Sequence, residues 1–407
     1  MEKIEKITGD IKNKNSKGNG PNSRDLFIDT LNLKKAERYP VAPHWWGIYK
    51  YEALGLDFRK DAWQEGIKIT DTYKKFYEKF KPDWFHLHIG TPFYFKDSEI
   101  VAKQGKYYLL INDSLRHLKK EDKYFSTNSS SDEEIVDFPD YLLGSRCQKP
   151  KVDLSSKIKI DDYIKKYIHM SAEEIISLGY TDHLAEILKE YGQEVFINVH
   201  IPSAICEIFD PLTGYTGFEQ GLIAFYDYPD GMRYLLERCY QEQLEWAKAY
   251  AKKGAHAYSI SEAYISPDLA NPEIYRKFIK DIHKDYFDTV KKLGLEPICY
   301  FTGDINPIIE DIADTGVKGL MTEEPKKGFS IDVKKLRDSI GDRVCIFGNI
   351  DSIYLMHDGA PQEIEEEVKK QLKGSSGNFI TCNGSPITPG TPVENVGAFI
   401  RTAKEWR

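Results

Sequence analysis

Eight short runs of β-type residues alternate along this chain with longer amphipathic runs of helical period. Helical runs such as DGMRYLLERCYQEQLEWAKAYAKKG end on a Lys-Lys-Gly stop. Strands that are each followed by a helical crossover predict a (β/α)8 barrel, whose chemistry lies at the carboxyl ends of the strands. The predicted strands are VAPHWW (41–46), DWFHLHI (83–89), VFINVHI (195–201), HAYSIS (256–261), PICYF (297–301), KGLMT (318–322), VCIFGN (344–349) and NFITC (378–382).

Two regions depart from this alternation. Residues 1–24 are rich in Lys, Asn, Gly and Ser and are predicted to be a flexible tail, which leaves 25–407 as one barrel domain. Residues 91–194 contain a predicted hairpin, SEIVAKQGKYYLLI, a polar loop, STNSSSDEE (126–134), and helices, and are interpreted as an insertion between the second and third strands. A doubly wound open sheet is the alternative fold, but no glycine-rich phosphate fingerprint follows the first strand.

Charge and hydropathy exclude two classes of partner. The 56 basic and 64 acidic residues give a net charge of -8, and no basic block is present that could neutralise a run of phosphates, so nucleic acid is not expected to bind. No apolar run approaches the roughly 18 residues that a membrane-spanning helix needs. The expected location is therefore the cytoplasm, without a membrane partner.

Four motifs carry a family resemblance. They are RDLFIDTLNLKKAERYPVAP near the start, GDINPI (303–308), FGNIDS (347–352) and PGTPVENVGAFI (389–400). With these motifs, residues 25–407 resemble the uroporphyrinogen decarboxylase superfamily, which also contains the cobalamin-linked methyltransferases of anaerobes. The resemblance implies a distorted (β/α)8 barrel.

The loop after the first strand argues against the decarboxylase branch of this superfamily. Those enzymes hold a tetracarboxylic porphyrinogen with arginines on this loop, because a guanidinium matches a carboxylate bidentately. Here the loop reads HWWGIYKYEALG, with no arginine before Arg59. Trp45 and Trp46 instead offer flat apolar surface, and we expect them to line a pocket for a small aromatic molecule.

Thiol-methylating members of the other branch are not matched either. The resemblance places their zinc ligands, a His-x-Cys pair and a later Cys, on Tyr300, Thr302 and Ser385. Neutral hydroxyl groups are poor zinc ligands, so we do not expect a zinc-thiolate site or a thiol substrate.

The resemblance leaves ether O-demethylation, in which a methyl group moves from a methoxylated aromatic to the cobalt of a corrinoid on a separate partner protein. A phenol has a pKa of roughly 10, so protonating or coordinating the ether oxygen improves the leaving group. Glu262, Tyr300 and Asp304 stand at predicted strand ends and are our candidate catalytic acids.

Zinc is a second means of activation. The O-demethylase branch is associated with a pattern of two glutamates and a histidine; Glu262 and His283 fit its second half, but Ala247 stands at the first glutamate. A packed or surface histidine is the simpler interpretation of His283. A nitrogen and oxygen site is also conceivable, with candidate ligands His44, His88, His200 and Glu262 at strand ends, whereas His86 is interpreted as structural.

Other polar or aromatic residues at predicted strand ends are weaker candidates for substrate contacts, and turn or core roles are the default for them. Two alternatives to methyl transfer stay open: a decarboxylase or lyase that holds a small acid with Lys50, Arg59 and the histidines, and a non-catalytic tetrapyrrole-binding protein. The substrate-contact candidates are His88, His200, Tyr264, Asn349, Asn383 and Ser385.

Overall fold

The computed structural model describes part of the chain. Its main sheet has seven parallel strands, and a second sheet has three antiparallel strands. The described residues are 22–34, 36–45, 47–56, 69–88, 99–103, 106–111, 114–118, 150–210, 215–326, 328–375 and 378–406.

Strands of the main sheet fall on seven of the eight predicted β-type runs, and neighbours in the sheet follow chain order without a reversal. A doubly wound sheet requires such a reversal, so the parallel α/β barrel-type architecture is confirmed over that alternative. The strands are β1 (Trp84–His88), β5 (Phe196–Pro202), β6 (Ala257–Glu262), β7 (Glu296–Phe301), β8 (Gly319–Thr322), β9 (Cys345–Phe347) and β10 (Phe379–Ile380).

Helices connect consecutive strands of this sheet. A π-helical turn, Tyr275–Ile279, lies between two of these helices, Pro272–Ile274 and Lys280–Lys292. The helices are α1 (Ser23–Leu31), α2 (Gly47–Ala53), α3 (Ile69–Phe80), α4 (Lys157–Tyr167), α5 (Ala172–Ser177), α6 (Asp182–Tyr191), α7 (Ala204–Phe209), α8 (Phe218–Asp227), α9 (Pro229–Lys253), α10 (Pro272–Ile274), α11 (Lys280–Lys292), α12 (Ile309–Ala313), α13 (Val333–Ile340), α14 (Pro361–Gly374) and α15 (Val393–Glu405), with 3-10 turns at Asn306–Ile308 and Gly341–Arg343. No helix among the described residues combines the length and apolar character needed to cross a bilayer.

The segment between β1 and β5 contains the second sheet. Its strands are β2 (Glu99–Lys103), β3 (Lys106–Ile111) and β4 (Ser114–Leu118), and β2 pairs with β3 in the antiparallel register expected of a hairpin. Helices α4, α5 and α6 follow before β5. The predicted polar loop at 126–134 lies outside the described residues.

The predicted first strand, 41–46, is not a regular strand. Segment 41–45 makes isolated parallel bridges from Val41 to Thr381 and from Trp45 to Ile387. On its other side the amide of Asp83, just before β1, donates to the Val41 carbonyl at 2.9 Å. Pro43 lacks a backbone N–H, which prevents a continuous ladder here. The segment nevertheless hydrogen-bonds to both edges of the sheet.

A further correction concerns the predicted tail. Helix α1 already begins at Ser23, and the Asn22 side chain caps it by accepting from the Asp25 amide at 2.9 Å. Residues 1–21 lie outside the described part. Phe27 of α1 is fully buried and stacks on Phe196 and Trp84, with ring centroids 4.3 and 5.7 Å away. Helix α1 therefore packs against the first inward-facing residues of β1 and β5.

Candidate functional site

Four histidines pack together inside the curled sheet, and we call His44, His86, His88 and His200 the histidine cluster. His86 lies at its centre, with ring centroids 4.8 Å from His44, 4.8 Å from His88 and 5.0 Å from His200. The structure thus brings together the three histidines at predicted strand ends. It also adds His86, which the sequence had assigned a separate structural role.

Strand alternation explains this convergence. On β1, Trp84, His86 and His88 face the interior while Phe85 and Leu87 pack in the outer core. His88 pairs with His200 in the parallel register between β1 and β5, so both imidazoles stand at the same height in the sheet. The Trp84 ring stacks beneath His86 with centroids 4.9 Å apart.

The cluster consists of neutral imidazoles. Burial is the main cause that lowers the pKa of His44, His86 and His88 well below the ordinary histidine value, and neighbouring histidines and Lys50 lower these pKa values further. Burial also lowers the pKa of His200 to about 3. Each ring therefore presents one N–H donor and one lone pair at neutral pH.

A second group of side chains adjoins the cluster, and we call Tyr300, Glu323, Glu324 and Ser385 the acid corner. The Tyr300 ring lies 5.0 Å from that of His44 in a T-shaped arrangement. The Ser385 hydroxyl donates to Glu324 at 2.7 Å and lies 3.2 Å from Glu323. Tyr300 lies close enough to Ser385, Glu323 and Glu324 for all three to influence the pKa of its hydroxyl. These contacts link β7, the segment after β8 and the segment after β10.

Burial sets the protonation of the acid corner. It is the main cause that raises the pKa of Tyr300 well above its ordinary value, and the Glu323 and Glu324 carboxylates raise it further. Burial also raises the pKa of Glu324, although Ser385 and Lys326 oppose this. Tyr300 therefore keeps its hydroxyl proton at neutral pH and is available as a hydrogen-bond donor.

Glu262 was expected to point into the mouth of the barrel from a strand end, but it points away from the mouth. Its carboxylate is fully buried on the outer side of β6, where Tyr240 of α9 donates to it at 2.6 Å and Ser203 at 2.9 Å. His283 of α11 lies 3.1 Å from the same carboxylate, and the Tyr275 hydroxyl lies 3.2 Å from the other ring nitrogen of His283. The spacing from Glu262 to His283 therefore corresponds to a real contact, but one between sheet and helices.

This placement separates the expected zinc ligands. Glu262 lies on the outer face of the sheet and the three histidines on its inner face, so they cannot share a metal ion. In the described part of the chain, no group of three or more His, Cys, Asp or Glu side chains is arranged to hold one. We therefore derive no chemical step through zinc.

Trp45 also faces away from the cluster, and Asp304 makes its contacts within a turn. Trp45 is buried in the outer core against Phe76 of α3, with ring centroids 4.2 Å apart, because alternation along 41–45 turns His44 inward and Trp45 outward. Trp46 lies outside the described residues, as does Arg59. The Asp304 carboxylate accepts from the backbone and side chain of Asn306, at 3.1 and 2.6 Å, within the turn after β7.

Asn383 and Asn349 hydrogen-bond to backbone groups at the mouth of the barrel. Asn383 accepts from the His44 amide at 2.8 Å and donates to the His44 carbonyl at 2.7 Å, which fixes that histidine in the cluster. Asn349 donates to the carbonyls of Glu323 and Ile331 at 2.9 and 3.0 Å. Tyr264 is half-buried just after β6, with a left-handed φ of 70°.

Sequence reasoning missed Glu323 and Glu324. The available signal was the pair of acids in MTEEPKK directly after a predicted strand, since strand ends converge on the mouth. Lys50 was considered only for the decarboxylase alternative, yet it is fully buried beside the cluster with its Nζ 4.4 Å above the Tyr73 ring.

The sequence is similar to sequences of methyltransferases and of uroporphyrinogen decarboxylases. The chain is 33% identical to the methylcobamide:CoM methyltransferase MtaA of Methanosarcina barkeri, over 40% of this chain and 45% of that protein. It is 32% identical to the uroporphyrinogen decarboxylase of Chlorobium luteolum, again over 40% of this chain and 45% of that protein. The chain thus spans less than half the length of either relative.

A solved structure and a family model extend the comparison. The structure of a methyltransferase from Methanosarcina mazei shares the fold, with a TM-score of 0.65 and 18% identity over 95% of this chain and 99% of that one. Residues 212–406 match the model of the uroporphyrinogen decarboxylase (URO-D) family. The chain therefore carries a uroporphyrinogen decarboxylase family domain over residues 212–406.

Proposed function

We propose that this protein is a methyltransferase that moves a methyl group from a small methoxylated aromatic compound to the cobalt of a corrinoid on a partner protein. The observation that carries the proposal is the Tyr300 hydroxyl, held protonated in the acid corner. The likeness to methylcobamide:CoM methyltransferases supports corrinoid-dependent methyl transfer as the reaction class.

The chain's own task is to stabilise the leaving oxygen. The corrinoid supplies the nucleophile that accepts the methyl group. As the methyl–oxygen bond breaks, its electron pair stays on the aryl oxygen. A hydrogen bond donated by Tyr300 stabilises that charge in a site with little water. Glu324, whose pKa is raised, is the nearby group from which a proton can follow through Ser385.

Decarboxylation is the competing function, because relatives named uroporphyrinogen decarboxylase match with similar identity. A polycarboxylate substrate needs cationic partners, whereas the acid corner contains two carboxylates. Among the described contacts of the corner, the cation is Lys326, which pairs with Glu323 and lies 3.7 Å from Glu324. The corner's charge therefore favours a neutral methyl donor over a polycarboxylate.

An anaerobic assay separates these functions. The purified protein is incubated with a reduced corrinoid protein and a panel of methoxyarenes, and methyl transfer is followed through the corrinoid absorption spectrum. We expect transfer from at least one arene, and a loss of about 100-fold or more in Tyr300→Phe, since general acid catalysis contributes factors of this size. Tyr226→Phe, at a 71% exposed tyrosine of α8, is the matched control and should keep full activity.

The same preparations are tested for CO2 release from small aromatic and heterocyclic acids. Carbon dioxide release without methyl transfer from any arene, in folded protein, would replace the proposal with the decarboxylase function.

A further inference from the structure

We propose that the mouth of the barrel beside the acid corner is a docking surface for the corrinoid-carrying partner protein, which meets it with an apolar patch surrounded by Lys and Arg side chains. The identity of the partner rests on the proposed function. The chemistry of its contact face rests on the exposed side chains and charges of the mouth segments, and it can be measured without methyl transfer.

Three large apolar side chains are exposed on segments that follow the carboxyl ends of strands, and we call Leu269, Ile353 and Tyr354 the apolar rim. Tyr354, after β9, is 77% exposed, the largest fraction for a large apolar side chain in the described part of the chain. Ile353 beside it is 37% exposed, and Leu269, after β6, is 47% exposed. Covering such side chains gains free energy, and tyrosine is among the residues that contribute most to protein contacts.

Hydrogen bonds hold the segment that carries Tyr354 in place. The Asp351 carboxylate accepts from the amides of Ile353 and Tyr354 at 2.8 and 2.7 Å. The Met356 side chain is fully buried, and Asn395 of α15 donates to the Met356 carbonyl at 2.9 Å. A contact residue on an ordered segment loses less conformational entropy when a partner binds, so Tyr354 is suited to be the main anchor of the contact.

The part of the apolar rim that follows β9 adjoins the acid corner. The Ser352 hydroxyl donates to the Ser385 carbonyl. Asn383 donates to both groups, to the Ser352 hydroxyl at 3.2 Å and to the Ser385 carbonyl at 2.7 Å. Ile353 and Tyr354 follow Ser352 directly in the chain, so they lie within two residues of a side chain that is bonded to the corner.

Leu269 adjoins the acid corner through the residues after β7. Asp268, which precedes Leu269, accepts from the Asp304 amide at 2.8 Å. The neighbouring Gly303 amide donates to Glu323 of the corner at 2.6 Å. The two parts of the rim thus reach the corner from different strands. A partner that carries cobalt to a methyl group in the corner therefore covers the rim as well.

The charges of the mouth segments define the face of the partner. The segments after β6 (263–271), β7 (302–308), β9 (348–360) and β10 (381–392) contain no Lys or Arg. Lys and Arg side chains on the partner would complement these segments and speed its encounter with the mouth. A second copy of this chain, docked through a two-fold axis, would set the same acids against each other, so charge disfavours a dimer through this face. The acids in these segments are Asp268, Asp304, Asp351 and Asp358.

Direct binding tests the apolar rim. Biolayer interferometry measures the affinity of the full chain for the corrinoid proteins of the methyl-transfer assay, each in its resting Co(II) state so that no methyl group moves. We expect Tyr354→Ala to weaken binding at least about 10-fold and Leu269→Ser at least about threefold. The matched controls are Tyr226→Ala, at a 71% exposed tyrosine of α8, and Ile158→Ser, at a 73% exposed isoleucine of α4, and both should keep the wild-type affinity.

Charge reversal tests the expected basic face of the partner. Asp358→Lys, at an exposed acid after β9, should weaken binding about threefold or more at low salt, mainly through slower association. The loss should shrink at about 0.5 M NaCl, because salt screens exposed charges. Asp285→Lys, at an exposed acid on helix α11 of the outer ring, is the matched control and should bind like the wild type.

Steady-state kinetics separate docking from chemistry. With a corrinoid protein as the methyl acceptor, Tyr354→Ala should raise the KM for that protein and leave the saturating rate unchanged. With free cob(I)alamin, which needs no docking surface, the same variant should match the wild type. Tyr300→Phe should show the opposite pattern, with a slower saturating rate and the wild-type affinity for the corrinoid protein.

Other outcomes overturn the docking surface. Wild-type affinity in both Tyr354→Ala and Leu269→Ser, an equal loss in the control variants, or no binding of any corrinoid protein would each refute it. A wild-type dimer in sedimentation that Tyr354→Ala dissociates would mean that the face binds a second copy. Binding that depends on Tyr354 without methyl transfer would refute the proposed reaction alone, and methyl transfer without that dependence would refute the docking surface alone.

Discussion

His86→Leu should make the free energy of unfolding depend less steeply on pH, because the variant lacks one titrating group. In the folded chain the pKa of His86 lies well below 6.5, mainly because of burial, whereas the unfolded chain has the ordinary value near 6.5. Below pH 6.5 the unfolded state therefore binds more protons, and the folded state loses stability as the pH falls. The loss approaches about 1.4 kcal/mol per pH unit and reaches about 2 kcal/mol at pH 5, relative to pH 8.

Urea unfolding followed by circular dichroism, at pH values from 8 to 5, measures this loss. The wild type should lose about 2 kcal/mol more stability than His86→Leu over that range. His86→Gln removes the same titration while keeping a polar side chain, so it should share the flatter pH dependence. Identical pH dependence in the wild type and both variants would show that His86 titrates normally when folded, and would refute a closed cluster of neutral histidines.

Two predictions concern the supports of the site. Gly303→Ala should destabilise the protein by about 1–3 kcal/mol in urea unfolding, because the φ of Gly303 is 78° and a Cβ would overlap Ser266 and Asp268. An unchanged unfolding midpoint would contradict this prediction. Glu262→Ala should cost about 3 kcal/mol because it leaves Tyr240 and its neighbours without their buried acceptor, whereas Glu262→Gln should stay folded and active in the methyl-transfer assay. A folded but inactive Glu262→Gln would return Glu262 to a catalytic role.

Much of the fold could be predicted because its signals are local. Short runs of β-type residues marked seven strands to within a few residues, and Lys-Lys-Gly and Lys-Lys-Leu-Gly marked the ends of helices α9 and α11. The segment 41–46 has the same residue types, but Pro43 interrupts it and its bridges are to Thr381 and Ile387, more than 300 residues away. Its irregular form depends on those distant contacts, which a local pattern does not show.

The site was less predictable because the direction of a side chain at a strand end depends on strand phase. A shift of one residue exchanges the two faces of a sheet. Glu262 and Trp45 were each expected in the mouth, yet in the structure they face the helices while Ser261 and His44 occupy the inward positions. Glu323 escaped notice because its contact with the Gly303 amide, at 2.6 Å, joins segments from two strands.

The most direct test of leaving-group stabilisation by Tyr300 measures how the rate loss in Tyr300→Phe varies with the acidity of the leaving group. Single-turnover methyl transfer to a reduced corrinoid protein is compared for the wild type and Tyr300→Phe, using methoxyarenes whose phenol products span pKa values from about 7 to about 10. We expect the rate of Tyr300→Phe to be reduced about 100-fold for the poorest leaving group, and the reduction to shrink steadily as the leaving group becomes more acidic. An equal defect across the series, or none, would contradict leaving-group stabilisation by Tyr300.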